Sequence, residues 1–141
     1  MTTYAYKNGI IAYDSRCSAG DFIIEDDSEK MQIVNGCTFF ITGALNDDEN
    51  FIECYFEKSE PNKYNTNSAF VWDGENLWQA AISDTEGFWK RKLHLNKVYA
   101  MGSGWQFALS AMDLGLTAKE SVKYAMTRDL KSGGKVKSFK L

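Results

Sequence analysis

The chain has 141 residues, 44% of them apolar and 14% aromatic, with a single proline. That composition predicts one globular domain over 1–141 and excludes a disordered chain. A formal net charge of −3 and an isoelectric point near 5.2 argue against nucleic acid and anionic membrane surfaces as partners. No apolar run approaches a membrane span and no signal-peptide pattern opens the chain, so a cytoplasmic protein is expected. Cys17, Cys37 and Cys54 are widely spaced and odd in number. They read as reduced thiols, not a disulfide frame or zinc site, and nothing calls for a cofactor.

The first forty residues predict short strands and tight turns. Tyr4–Lys7 and Ile10–Tyr13 flank Asn8-Gly9, and Met31–Val34 and Cys37–Thr42 flank Asn35-Gly36. Both dipeptides suit a type I′ hairpin, which needs positive φ at two successive positions. Phe22–Ile24 is a short apolar run between them. From Asn46 the pattern becomes helical: Asn46 is a candidate N-cap, and Asp47, Asp48 and Glu49 suit the positive end of a helix dipole. Phe51, Ile52, Tyr55 and Phe56 repeat at helical spacing to about Lys58.

Ser59–Ser68 reads as a polar loop carrying Pro61 and three asparagines. Phe70–Trp72 and Leu77–Ile82 predict a third hairpin around Asp73-Gly74, and Trp89–Leu95 and Val98–Met101 further strand. In Gly104–Leu114 apolar residues line two faces, which predicts a buried helix. Gly115 ends it. Thr117 with Glu120 forms a capping box for a second helix, in which Val122, Ala125 and Met126 face inward. Ser132-Gly133-Gly134 is expected to stop that helix, and Val136–Leu141 to form a last strand. This order predicts an α+β fold with helices outside stacked sheets.

Thr2 follows Met1 directly. Removing Met1 would place a hydroxyl and a free α-amine on one residue, a known way to pair a nucleophile with its base. Thr2-Thr3-Tyr4-Ala5-Tyr6 opens a strand, and Asp14-Ser15-Arg16-Cys17-Ser18-Ala19-Gly20 follows. Lys30 lies about one strand later. Near the far end stand Gly102-Ser103-Gly104 and Arg128-Asp129-Leu130-Lys131-Ser132-Gly133-Gly134. Five such pieces in this order resemble the proteasome β-subunit and HslV-type family of N-terminal threonine (Ntn) hydrolases. The likeness covers both ends well and the middle poorly.

The resemblance implies an αββα layered sandwich and a threonine-type peptidase. In that reading Thr2 attacks a peptide carbonyl and its own amine acts as base. An α-amine titrates at roughly 7.7–8.0, close to the useful range near pH 7. The Lys30 ammonium would depress it further, and Asp14 would compensate the lysine. By resemblance, Ser103, Asp129 and Ser132 complete the polar network, and the Gly43 N–H is the oxyanion donor. Taken singly, Asp14 reads as a strand-end turn residue and Lys30 as an exposed strand flank, since most charged residues are solvated.

Implied partners are a peptide or unfolded-protein substrate and further copies of the chain in a homo-oligomer, with an ATPase cap as a candidate. An inactive structural or regulatory subunit and a small-molecule amidase are alternatives on the same fold. The family's two long helices after the oxyanion glycine have little room here, because only about twenty-five residues separate Gly43 from Ala69. A reduced helical layer is therefore expected. Family pairs Gly-Gly and Lys-Lys are replaced by Gly43-Ala44 and Glu29-Lys30. Weaker signals are the lone His94, the basic run Lys90-Arg91-Lys92, and acidic Glu25-Asp26-Asp27 with Glu29, which lacks EF-hand spacing.

Overall fold

Asn8 and Gly9 take φ of 51° and 78°, and Asn35 and Gly36 take 50° and 79°. Each pair folds two strands back on themselves as a type I′ turn requires. The computed structural model describes residues 1–141. Along the chain run β1 (Thr3–Lys7), β2 (Ile10–Tyr13), β3 (Cys17–Ala19), β4 (Phe22–Glu25), β5 (Met31–Val34) and β6 (Cys37–Thr42). A 3₁₀ turn (Leu45–Asp47) leads into α1 (Asp48–Tyr55), followed by β7 (Ser68–Trp72), β8 (Leu77–Ser83), β9 (Gly87–Lys92) and β10 (Tyr99–Gly102). The chain ends with α2 (Trp105–Asp113), α3 (Ala118–Met126) and β11 (Lys137–Lys140). These elements gather into two units, residues 1–30 with 94–141, and residues 31–93.

In the first unit an antiparallel sheet runs in the order β10-β1-β2-β11. Ala5 and Ala12, side by side in the register of β1 and β2, present small side chains to the two helices. They join Ala108 and Met112 of α2 and Ala118, Val122 and Ala125 of α3 in one core. Period-2 alternation on the strands thus meets period-3.6 spacing on the helices. Lys7 donates its ammonium to the carbonyls of Met112 (3.0 Å), in the last turn of α2, and Leu116 (2.9 Å), in the connection to α3, which sets a cation at the negative end of the α2 dipole. The Thr117–Glu120 capping box forms with both of its hydrogen bonds. The hairpin β3–β4 makes its own two-stranded sheet, and Phe22, Ile23 and Ile24 on it are exposed.

Two helix expectations change. Only Ala108, Ala111 and Met112 of α2 are buried, whereas Trp105 and Leu114 are exposed, so this helix is amphipathic and covers one side of a sheet. Helix α3 ends at Met126, before Ser132-Gly133-Gly134. The segment in between turns back as Asp129 and Arg128 bond the Ala125 carbonyl, which frees Asp129 for another task.

The second unit is an antiparallel sheet in the order β5-β6-β7-β8-β9, with α1 alongside. Phe39, Ile41, Val71, Ala80 and Ile82 of the sheet share a core with Phe51, Cys54 and Tyr55 of α1. Phe39 meets Tyr55 edge-on at 5.2 Å, a favoured aromatic geometry. The Asp73 carboxylate ties the third hairpin by accepting from Glu75 N, Asn76 N and Trp78 Nε1. Helix α1 departs from expectation at its start. Asn46 lies within the 3₁₀ turn, and the N-cap position falls to Asp47, without a side-chain cap bond. No second helix follows. Residues 59–67 are instead held by buried asparagines: Asn50 Oδ1 accepts from Asn62 N (2.8 Å) and Asn65 Nδ2 (2.9 Å). No helix is long and apolar enough to cross a membrane.

Asp48 accepts from Gln32 Nε2 at 3.1 Å and from Asn67 Nδ2 at 2.9 Å. Burial pushes its carboxyl up to about 6 against the Gln32 bond, and Asp47 adds to the rise. The native state therefore keeps a proton that the unfolded chain loses near the ordinary 3.8, and this contribution disappears as pH rises through about 6. Asp48→Asn should gain on the native protein by about 1 kcal/mol between pH 4 and 7, allowing for partial exposure. Urea denaturation of both proteins at each pH measures the difference; a gap that stays constant or narrows would contradict it.

Candidate active site

The hairpin register sets the site within the first unit. Tyr4 pairs with Tyr13, so Thr3 and Asp14 stand side by side at the open end of β1 and β2, with Thr2 just ahead. Asp14, fully buried, accepts at Oδ1 from Lys30 Nζ (2.9 Å), Thr3 N (3.0 Å) and the Thr2 hydroxyl. Its Oδ2 accepts from Gly133 N (2.9 Å) and Arg16 N (3.2 Å). Lys30, whose side chain is 12% exposed, also donates to Thr2 Oγ1 at 2.7 Å. Neither residue is a solvated flank. A buried carboxylate with this many donors and a paired ammonium is the arrangement in which burying both charges is tolerable.

A second group lies next to the first. Asp129 Oδ2 accepts from Ser103 Oγ and Ser132 Oγ, both at 2.6 Å. With the Ser132 proton committed there, Thr3 Oγ1 donates to Ser132 Oγ at 2.7 Å. Ser103 Oγ also lies 3.3 Å from the Thr2 carbonyl. Thr3 sits opposite Gly102 in the β1–β10 ladder, and a Cβ at Gly104 would overlap Thr3 Oγ1. The glycines flanking Ser103 thus let this turn close on the start of β1.

The Gly-Gly pair has a similar cause. A Cβ at Gly133 would strike the Arg16 guanidinium, and Gly134 combines a φ of +76° with contact to the Asp26 carbonyl. Arg16 itself forms a two-point ion pair with Asp26, at 2.8 and 3.1 Å. The structure therefore gathers Thr2, Asp14, Lys30, Ser103, Asp129 and Ser132, and adds Thr3, Arg16 and the Gly133 N–H, to which sequence patterning assigned no role. Only the strand register could have exposed Thr3, because its partner Gly102 is remote in sequence. Gly43 belongs to the unit 31–93, at the end of β6, with φ of +133°.

Electrostatics favour a proton acceptor here. Burial pulls the Lys30 ammonium below its ordinary 10.5, with Asp14 opposing. The α-amine, carried by Met1, is held below its ordinary 8.0 by burial and then by Lys30, again with Asp14 opposing. While Met1 is attached, the Thr2 nitrogen is an amide and not a base.

The other candidate signals have ordinary partners. Lys90 lies over the rings of Tyr55 and Trp78 at 4.7 and 4.5 Å, and Asp27 pairs with Lys135 and Lys137. His94 is exposed. No group of His, Cys, Asp and Glu is placed to hold a metal ion.

No protein-family model matches the chain, and no curated protein matches it. Solved structures do. Thiobacillus denitrificans BPH is similar over 99% of this chain and 96% of its own, with TM-score 0.71 and 20% identity. The same protein in complex with epoxomicin is similar over 99% and 97%, with TM-score 0.70 and 18% identity. Eukaryotic HslV from Trypanosoma brucei is similar over 99% of each chain, with TM-score 0.68 and 14% identity. The chain has the α+β fold of these proteasome-like and HslV proteins.

Removing the Asp14 carboxylate would strand the Lys30 ammonium and three backbone N–H groups, those of Thr3, Arg16 and Gly133. Asp14→Ala and Lys30→Met should each cost about 3–5 kcal/mol, since either change leaves the other charge buried without its partner. In a denaturation cycle the double variant should be more stable than the sum of the single losses implies. Additive losses would show that the two residues do not act together.

Proposed function

We propose that this chain, once Met1 is removed, is a threonine-type peptidase of the N-terminal nucleophile class. The observation that carries the reading is the Thr2 hydroxyl held between the Lys30 ammonium and the Asp14 carboxylate. Freed of Met1, the Thr2 nitrogen becomes an amine beside its own hydroxyl. The same burial and the same lysine that lower the Met1 amine act on it and favour its unprotonated form. The amine, through a water, takes the hydroxyl proton as Oγ1 attacks a peptide carbonyl carbon.

The Gly43 N–H, assigned by resemblance, receives the oxyanion. Collapse expels the leaving amine, which takes the proton, and water then hydrolyses the ester on Thr2. Asp14 holds Lys30 charged and in place, while Ser103 holds the Thr2 carbonyl, Ser132 holds the Thr3 hydroxyl, Asp129 anchors both serines, and by resemblance the three receive the Thr2 amine. The substrate class is peptide or unfolded protein, and the whole chain acts as one domain in a homo-oligomeric, proteasome-like assembly. An ATPase cap would be its partner in delivering substrate. Support for these finer points is the shared fold, the epoxomicin complex of the Thiobacillus protein, and the family motifs in the sequence.

The test uses protein whose loss of Met1 is verified by intact mass. A panel of fluorogenic peptides should be cleaved, Thr2→Ala should lower turnover at least about 10³-fold, and Thr2→Ser should keep part of it. Epoxomicin should add its mass to the native protein and not to Thr2→Ala. Undiminished cleavage by Thr2→Ala would overturn the reading. Cleavage of acylated amines without peptides would make the protein an amidase, and no turnover by the Met1-free chain would make it an inactive subunit.

A further inference from the structure

Within the unit 31–93, the turn after β6 is gripped by one side chain. Asn67, fully buried, accepts from Ala44 N through Oδ1 (3.0 Å) and donates to the Ala44 carbonyl through Nδ2 (3.0 Å). The remaining Nδ2 hydrogen goes to Asp48 Oδ1 at 2.9 Å. Only one orientation of the amide gives a donor to both of those oxygens and an acceptor to the N–H, so the side chain cannot flip without loss.

The grip shapes Gly43 directly. A Cβ there would run into the Asn67 side chain, and φ is +133°, so a glycine is required on two counts. Asn67 is itself immobilised. Its N–H donates to Asn65 Oδ1 (3.0 Å), and its carbonyl accepts from Ile82 N of β8 (3.0 Å). Asn65 Nδ2 reaches the Asp47 carbonyl (3.2 Å) and Asn50 Oδ1 (2.9 Å), and Asn50 Nδ2 reaches the Glu60 carbonyl (3.0 Å). Residues 44–50 and 60–67 are thus laced together by amide side chains.

We propose that Asn67 is a positioning residue for hydrolysis, fixing the Gly43–Ala44 turn so that the Gly43 N–H is presented to the developing oxyanion. The inference rests on the peptidase reading and deepens it. A preformed donor acts on charge that appears in the transition state, and its loss lowers kcat more than it changes substrate binding. A 3₁₀ turn held only by its own backbone at a strand end would sample other conformations, and the clamp removes that freedom.

The experiment compares Met1-free native protein with Asn67→Ala, Gly43→Ala and the double variant. Peptide cleavage is measured together with inhibition by a peptide aldehyde, whose hemiacetal oxygen mimics the oxyanion. Asn67→Ala should lower kcat about 10- to 100-fold with KM within about 2- to 3-fold, and weaken the aldehyde by a similar factor. The two single effects should fail to add in the double variant, because both residues act through one turn. Should Asn67→Ala fold poorly, Asn67→Ser takes its place. In the native protein, the Ala44 amide should exchange its hydrogen slowly.

Unchanged kcat and aldehyde affinity in the variants, with the native protein active, would overturn the proposal and leave the peptidase reading standing. So would an unprotected Ala44 amide in the native protein. No turnover by the native protein would overturn both.

Discussion

The Asp14 carboxylate is the constraint on which the rest of the site depends. It receives the Thr3 and Gly133 N–H groups, the Arg16 N–H, the Thr2 hydroxyl and the Lys30 ammonium while having no solvent exposure of its own. Such a group ties the start of the chain, the strand after the first hairpin and the segment after α3 to a single point. Its charge is what makes a largely buried lysine tolerable, and that lysine sets the local potential at Thr2. In the proposed reading, stability and chemistry share this one interaction.

The glycines and small hydroxyls around it follow from crowding. Gly102 and Gly104 flank Ser103 where the backbone meets Thr2 and Thr3, and Gly133 lies against the Arg16 guanidinium. Each position needs a residue without a side chain so that a neighbouring polar group can reach its partner. In the unit 31–93 the same economy of space takes another form. There the chain has too few residues between β6 and β7 for two long helices, and buried amide side chains fix the connection instead.

Much of this was legible where local chemistry decides. The Asn-Gly hairpins and the Thr117–Glu120 capping box need only their own residues and formed as expected. The start of α1 was not legible, because the Asn67 amide, remote in sequence, holds Ala44 and draws the following residues into a 3₁₀ turn ahead of Asp48. The two-faced apolar pattern of α2 overstated its burial: Leu114 stands 85% exposed, for the helix has a sheet on one side only. Asp14 and Lys30 looked like solvent residues one at a time, since pairing across a fold has no periodicity. Motif order, which carries such pairing implicitly, brought them together with Thr2, Ser103, Asp129 and Ser132.

The central claim is that a carboxylate-supported ammonium beside Thr2 keeps a freed terminal amine in its basic form. Selective nitrogen labelling of threonine allows that amine to be titrated by NMR in the Met1-free protein. The account predicts a midpoint below the ordinary 8.0, moving upward when Lys30 is replaced by Met. A midpoint at or above 8.0 that ignores the replacement would contradict it.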